Sequence, residues 1–439
     1  MQTQRDHVHA HQFQMTRMSN ALVIGETTSA DNPFQRPIVG LLTGIVIAIL
    51  VMAGFLVYGW LKPGGNTTWR SPGVIIVEKE TGNRYVYLGG ALHQTRNLAS
   101  AMLLEGPGSS IKLVSRESLK GVPHGSSIGL SAAPQVLPAA GSLLAGPWLA
   151  CLSPGAAHGV RLDLDPTAPA LPLGGNEFSL VAHNGKTYLL WQNQRHEVTS
   201  AAVPITLGAT AAQPPDAPSD WLDQVPQGDP IGLPPIKRLG EDGPTVAGHP
   251  YKIGQLFVQD GTEQRFALLE DGLAPVDQTA FTLLHAVGKD PVTLTAGNLV
   301  GARLSPDHSL ASFLPALASA KYRDPAGLSL CLRQSPSGAK SVRSEVVLGR
   351  RGYSPGAPVA VVKAGTGMIA YAVPLASNSG TPVPFLITDD GIKYDVSADN
   401  ALSSLGLGGP EVPFPAAFLD EVKSGPALSR AAVTTNLEG

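Results

Sequence analysis

Few residues in this 439-residue chain have the types and spacing that chemistry demands. Gly185-Lys186-Thr187 resembles the end of a phosphate-binding loop, in which backbone amides and a lysine cradle phosphate oxygens. That loop needs an earlier glycine and a following helix. The fifth residue before Gly185 is Leu180, and the triplet follows a turn and opens an apolar strand. The reading that fits is a hairpin turn. His7, His9 and His11 alternate near the N-terminus, but only His7 and His11 share a helical face, and no carboxylate or cysteine completes a ligand set. His93, His183, His196, His249 and His285 are scattered, mostly beside turns. A G-x-S-x-G nucleophile elbow is absent, and neither cysteine sits in a C-x-x-C or papain-like context. No catalytic, cofactor or metal site is therefore expected, and no enzyme activity.

The two cysteines, Cys151 and Cys331, fit one structural disulfide in an oxidising compartment, the alternative being two buried free thiols. A bridge over so long a loop would contribute roughly 4–5 kcal/mol at most in the chain-entropy picture. A net charge of -3 gives no basic footprint for nucleic acid. Glycine and proline are abundant, at 49 and 38 residues, and charged residues are only 15% of the chain, so turns and short strands are expected rather than a helical bundle.

What positions everything else is a charge-free run from Ile38 to Leu61, ending in Tyr58, Trp60 and Lys62. About 20 apolar residues cross the hydrocarbon core as a helix, so these suffice with some tilt. The aromatic residues and the lysine suit the interface. A cleaved signal peptide would carry a shorter core and a small-residue cleavage site, which Lys62-Pro63-Gly64-Gly65 does not supply. Lys and Arg are nearly balanced across the run: Arg36 and Arg17 before it, Lys62 and Arg70 after it. The short leading segment and the placement of both cysteines in the large C-terminal part favour a cytosolic N-terminus. The expected organisation is a cytosolic segment over 1–37, a transmembrane helix over 38–61 and an extracytoplasmic domain over 62–439.

Within that domain four segments share one pattern. They are Val74–Val77 and Arg84–Leu88 around Thr81-Gly82-Asn83; Phe178–Val181 and Lys186–Trp191 around Asn184-Gly185; Gln255–Val258 and Gln264–Leu268 around Asp260-Gly261; and Pro384–Ile387 and Ile392–Val396 around Asp390-Gly391. Asx-Gly supplies the positive φ angles of tight hairpins. Short helical patterns follow three of them, from Asn97 to Leu104, Asp277 to Leu284 and Ala398 to Leu405, with Asn97 and Asp277 as N-caps. This predicts an α+β, β-rich domain of strand-turn-strand(-helix) repeats near 73–105, 176–199, 255–285 and 381–406 around a central core. A proline-dense stretch over 213–235 reads as a semi-rigid connector or surface loop. Residues 115–160 read as irregular connections, and a brief helix is expected around Ala416–Val422.

Two features suggest partners. Phe13, Arg17, Ala21 and Leu22, extended by Val23 and Ile24, are read as one stripe of an amphipathic helix that docks on a partner or on the bilayer. Gly40-Leu-Leu-Thr-Gly44 is a G-x-x-x-G motif that permits close helix approach.

Several of these stretches, in this order, resemble the EccB family, a core membrane component of type VII (ESX) secretion systems. The resemblance covers nearly the whole chain. Its F-x-x-R-R-x-x-x-A-L helix reads Phe13-Gln-Met-Thr16-Arg17-Met-Ser-Asn-Ala21-Leu22 here, and its L-N-L-A-S-A stretch reads Arg96-Asn97-Leu98-Ala99-Ser100-Ala101. Ser71-Pro72, Pro123-His124-Gly125, Gly129, Ala133-Pro134, Trp148-Leu149-Ala150-Cys151, Gly391–Val396, Ala401-Leu402, Leu405-Gly406 and Gly425-Pro426-Ala-Leu428-Ser429 follow its further motifs. Thr16 replaces the first arginine of the pair, Gln94 stands where proline is usual, and many members carry a longer tail. The resemblance implies a cytosolic N-terminus in the cell (inner) membrane and a four-repeat extracytoplasmic domain with a disulfide. It also implies a structural, non-enzymatic role in assembly with the EccC ATPase, EccD, EccE and further EccB copies. ATP hydrolysis has been described for some members and finds no phosphate-binding motif here. A membrane-anchored module that binds cell-wall glycan on exposed aromatic hairpins, Tyr188 and Trp191 among them, is the alternative reading.

Overall fold

A computed structural model describes residues 4–23, 25, 35–61, 67–153, 159–325, 327–350, 359–375, 380–398 and 400–435. Two helices come first, Gln4–Val23 and Gln35–Leu61. The second begins three residues ahead of the expected Ile38 because Pro37 falls in its first turn, where a missing N–H costs nothing. At 1.5 Å per residue it is about 40 Å long, and none of its apolar stretch is buried against the rest of the chain. Lys62 lies outside the described residues.

Among the described residues the C-terminal part is built from five sheets. In the first, Val74–Glu78, Arg84–Leu88 and Ala91–Gln94 run as an antiparallel meander. The helix Leu98–Glu105 then carries the chain across, so that Ser110–Val114 returns parallel to the first strand. Asn97 caps that helix, its side chain accepting the Ser100 amide at 2.9 Å. The second sheet holds Glu177–His183, Lys186–Trp191 and Gln194–Val198, joined in parallel by Lys321–Tyr322. Inserted before that last strand is the third sheet, Leu256–Gln259, Arg265–Leu269, Gly272–Pro275 and Val292–Leu294, whose helix Gln278–Val287 is capped by Asp277 at 2.7 Å. The fourth comprises Met368–Val373, Pro384–Ile387, Lys393–Asp395 and Glu411–Pro415. These four sheets have one strand order, third-second-first-fourth.

The central sheet has six strands: Trp148–Leu152, Val160–Asp163, Ala170–Pro172, Leu328–Pro336, Val342–Arg350 and Ala360–Val361. Its core extends into the second sheet through Val181 and Leu190 and into the fourth through Met368 and Ala370. The second and third sheets share another core around Phe178, Leu256 and Phe281, and the first and fourth share one around Ile75, Ile369 and Leu386.

Four expectations need correction. The fourth unit begins at Met368, not near 381, and Asp390-Gly391 joins its second and third strands, whereas the other Asx-Gly or Thr-Gly turns join first and second. Met368-Ile-Ala-Tyr-Ala-Val373 is apolar on both faces because it is a central strand, so it lacks the alternation that marks a half-buried one. Within 115–160, Trp148–Leu152 is a fully buried strand of the central sheet, missed for the same reason. The proline-dense 213–235 stretch is no free connector. It contains the short helix Ser219–Leu222, which seats Trp221 in the central core with its Nε1–H donating to Ala150 O at 2.9 Å. The helix expected from Ala398 is confined to Ala401–Ser404, and Asp399 lies outside the described residues.

Candidate interaction surfaces

The disulfide comes first, because it ties the halves of the central sheet. Cys151 and Cys331 sit directly opposite on antiparallel neighbours and are bonded, with Cα atoms 3.9 Å apart and sulfurs buried. Gly349 on the next strand lies over the bridge: a Cβ there would come within 2.5 Å of Cys331 Sγ. Both halves of the sequence on either side of the second and third sheets are thus locked to one another.

A second recurring device fixes the outer edges. In each four-stranded sheet a later segment runs parallel to the third strand, through bridges Leu92–His124, Arg195–Gln227, Leu273–Leu304 and Lys393–Ser424. The next residue's amide then donates to the strand: Gly125 to Leu92 O, Gly228 to Arg195 O, Ser305 to Leu273 O and Gly425 to Lys393 O. Over three of these residues lies a ring. A Cβ at Gly125 would be 2.2 Å from His93 Cε1, at Gly228 2.3 Å from His196 Cε1, and at Gly425 2.3 Å from Tyr394 Cε1. In the third sheet the ring position is Ala274 and the glycine position Ser305, so bulk has moved from strand to loop. The P-x-G triplets Pro123-His124-Gly125 and Pro226-Gln227-Gly228 were the sequence signal for this. Asn97 and Ser100 do related work: Asn97 Nδ2 donates to Leu130 O at 2.7 Å, and Ser100 Oγ accepts the Leu130 amide at 3.1 Å.

The chemical candidates resolve into structure. Asn184 and Gly185 take positive φ angles, 49° and 76°, as a hairpin requires. Lys186 then opens a strand and pairs with Glu197 across it at 2.8 Å. Among the described residues no three His, Cys, Asp or Glu side chains could together hold a metal ion. The hollow between Ile236, Glu270 and Ser309 has a volume of about 260 Å³, and the Asp307 carboxylate on its wall accepts the Ser309 amide at 2.8 Å within a local turn. Trp69, Trp148, Trp191 and Trp221 are buried and Tyr188 is half-buried, so the hairpin aromatics Tyr188 and Trp191 do not form an exposed platform for sugars.

The N-terminal helix offers two faces rather than one. Phe13 and Leu22 are nine residues apart, two and a half turns, and so lie on opposite sides. Arg17 lies over the Phe13 ring at 5.9 Å. Val8, Met15 and Leu22 follow a seven-residue spacing on the other side, and all three are exposed, as is Phe13. Ile24 lies outside the described residues. In the spanning helix nothing lies within 4 Å of a Cβ built on Gly40 or Gly44.

An anchor helix followed by a β-rich domain of repeated sheets with a buried disulfide defines a membrane-tethered protein. The family model for "Type VII secretion system ESX-1, transport TM domain B" matches residues 1–439, and the chain belongs to that family, EccB. It is 26% identical over 487 residues to the ESX-3 secretion system ATPase EccB3 of Mycobacterium tuberculosis, covering 97% of this chain and 88% of that protein. Identity to ESX-1 secretion system ATPase EccB1 of the same organism is 27%, over 96% and 92%. Among solved structures, an intact ESX-5 inner membrane complex contains a chain of the same fold, with TM-score 0.59 at 22% identity over 99% and 95% of the two chains. A chain of the EccB3 dimer from the ESX-3 core complex gives 0.56 at 21% identity, over 82% and 99%.

Proposed function

We propose that this chain is a structural subunit of a type VII secretion membrane complex, scaffolding its assembly and its extracytoplasmic side. The observation that carries this is the match of the EccB family over the whole chain, anchor and domain together. The N-terminus is cytosolic and residues 62–439 are extracytoplasmic, where the Cys151–Cys331 bridge belongs. The partners are the other core subunits, EccC, EccD and EccE, and further copies of this chain. Phe13, Arg17 and Leu22 are the cytosolic docking residues, and Gly40 and Gly44 the close-approach face of the span. The relatives are named ATPases; here the reading is non-catalytic, since Lys186 is committed to Glu197 and no helix follows Thr187 to receive a phosphate.

The test is a Phe13→Ala/Arg17→Glu chain expressed in its host. It should remain in the membrane with its extracytoplasmic domain folded, yet be lost from the large complex on a native gel. Unaltered assembly would remove the docking role from these residues.

A further inference from the structure

A sheet edge with free backbone groups is a template for another strand, and folded proteins cover, shorten or interrupt such edges. This chain does so at nearly every one. Third-strand edges of the four small sheets are covered by the bridged segments around His124, Gln227, Leu304 and Ser424. On the fourth-strand side, Lys321–Tyr322 has two residues and Val292–Leu294 three, while Glu411–Pro415 carries Pro413 and Pro415 and is buried from Val412 onward. The central sheet ends in strands of two and three residues, Ala360–Val361 and Ala170–Pro172.

Ser110–Val114 is the exception among the described residues. It is five residues long, free of proline, and the last strand of its sheet. The Ser110 amide donates inward to Gly73 O and Val114 O accepts inward from Lys79 N, so alternation turns the Ile111 and Leu113 amides and carbonyls outward. Ile111 and Leu113 are also 57% and 66% exposed. An apolar, unprotected edge beside protected equivalents is a binding surface.

We propose that the Ser110–Val114 edge pairs with the same strand of a second copy, joining two first sheets into one across a two-fold axis. This rests on the reading of the chain as a self-associating scaffold subunit and adds the surface used. Three observations select a second copy. The strand sits close to the anchor: Lys112 Nζ donates to Thr68 O at 3.1 Å, and Thr68 lies seven residues beyond the spanning helix. Two copies in one membrane thus present this edge at similar height and high effective concentration, and a two-fold axis perpendicular to the strand makes the meeting strands antiparallel. The strand is also self-complementary: a register centred on Ile111 sets Lys112 opposite Ser110, and one centred on Leu113 sets it opposite Val114, so Lys112 need not face itself. Finally, a relative of this fold is found as a dimer.

Cysteine cross-linking of the full chain in its host membrane tests this. Both native cysteines are bonded and buried, so an added thiol is the reactive one. Ile111→Cys or Leu113→Cys, under mild oxidation, should give a linked dimer containing only this chain, while Val300→Cys, fully exposed elsewhere, should not. An Ile111→Lys/Leu113→Lys chain should lose the homodimeric contact but keep its fold. Linking at neither position, or linking to a different subunit, while the chain still runs in the large complex, would overturn the edge pairing and leave the scaffold reading standing. If the unsubstituted chain is extracted as a lone monomer, the scaffold reading itself fails.

Discussion

Substituting Gly228 by alanine tests whether the ring-over-glycine clamp is a packing device. A Cβ at 228 would lie 2.3 Å from His196 Cε1 and 2.7 Å from Nδ1, far inside contact distance. His196 is 2% exposed and its Nδ1 is bound to Asp229 O at 2.7 Å, so the ring cannot step aside without losing that bond. The φ of Gly228 is ordinary, which leaves collision as the cause. Overpacking of this kind costs about 1–3 kcal/mol. At roughly 2 °C per kcal/mol for a large domain, Gly228→Ala should lower the melting temperature by about 2–6 °C. His196→Ala alone empties a buried site and should cost roughly 2–4 kcal/mol.

The double variant is decisive, because the third sheet already carries the swap as Ala274 with Ser305. The alanine methyl then enters the space the ring vacated, so the double should be no worse than His196→Ala alone, a coupling of about 1–3 kcal/mol. Thermal unfolding of the full chain in detergent, followed by tryptophan fluorescence, reads all three. Additive losses, or no loss from Gly228→Ala, would refute the reasoning.

Cys331→Ala should destabilise the domain by about 2–5 kcal/mol, whereas the intact bridge, with both sulfurs buried, should resist mild reductant; maleimide labelling of the native chain after reduction would contradict that. Burial, with the Asp390 carboxylate adding to it, pushes the Tyr394 phenol up to about 12. A raised folded pKa means its stabilisation is complete below about pH 10 and is lost as pH rises through about 12. Melting curves between pH 9 and 12 should therefore fall less steeply for Tyr394→Phe, and parallel curves would count against it. Lys186→Ala should change stability by under about 1 kcal/mol, since its pair with Glu197 is largely solvated, and should leave any nucleotide turnover of the purified chain unchanged.

The anchor and the hairpins were legible because their signals are local. A charge-free run needs no partner to be read, and Asn184-Gly185 specifies its turn through two φ angles. The caps Asn97 and Asp277 were equally visible, each setting a side-chain oxygen three residues before the amide it accepts. Met368–Val373 and Trp148–Leu152 were hidden by burial on both faces, which erases the alternation of a strand. Pairings such as Arg195 with Gln227 depend on chain segments some thirty residues apart meeting in space, so the prolines of 213–235 marked irregularity without showing that Trp221 and Ile231 are core. The open edge at Ser110–Val114 could emerge only by comparison with the protected edges of the other sheets.

The scaffold assignment is tested most directly by tagging the full chain in its host, extracting membranes in mild detergent, and identifying its companions by native gel and mass spectrometry. Recovery in a very large assembly with an FtsK-like ATPase and a many-span membrane protein is the expected result. Recovery as an isolated monomer or dimer, under conditions that preserve other membrane complexes, would contradict it.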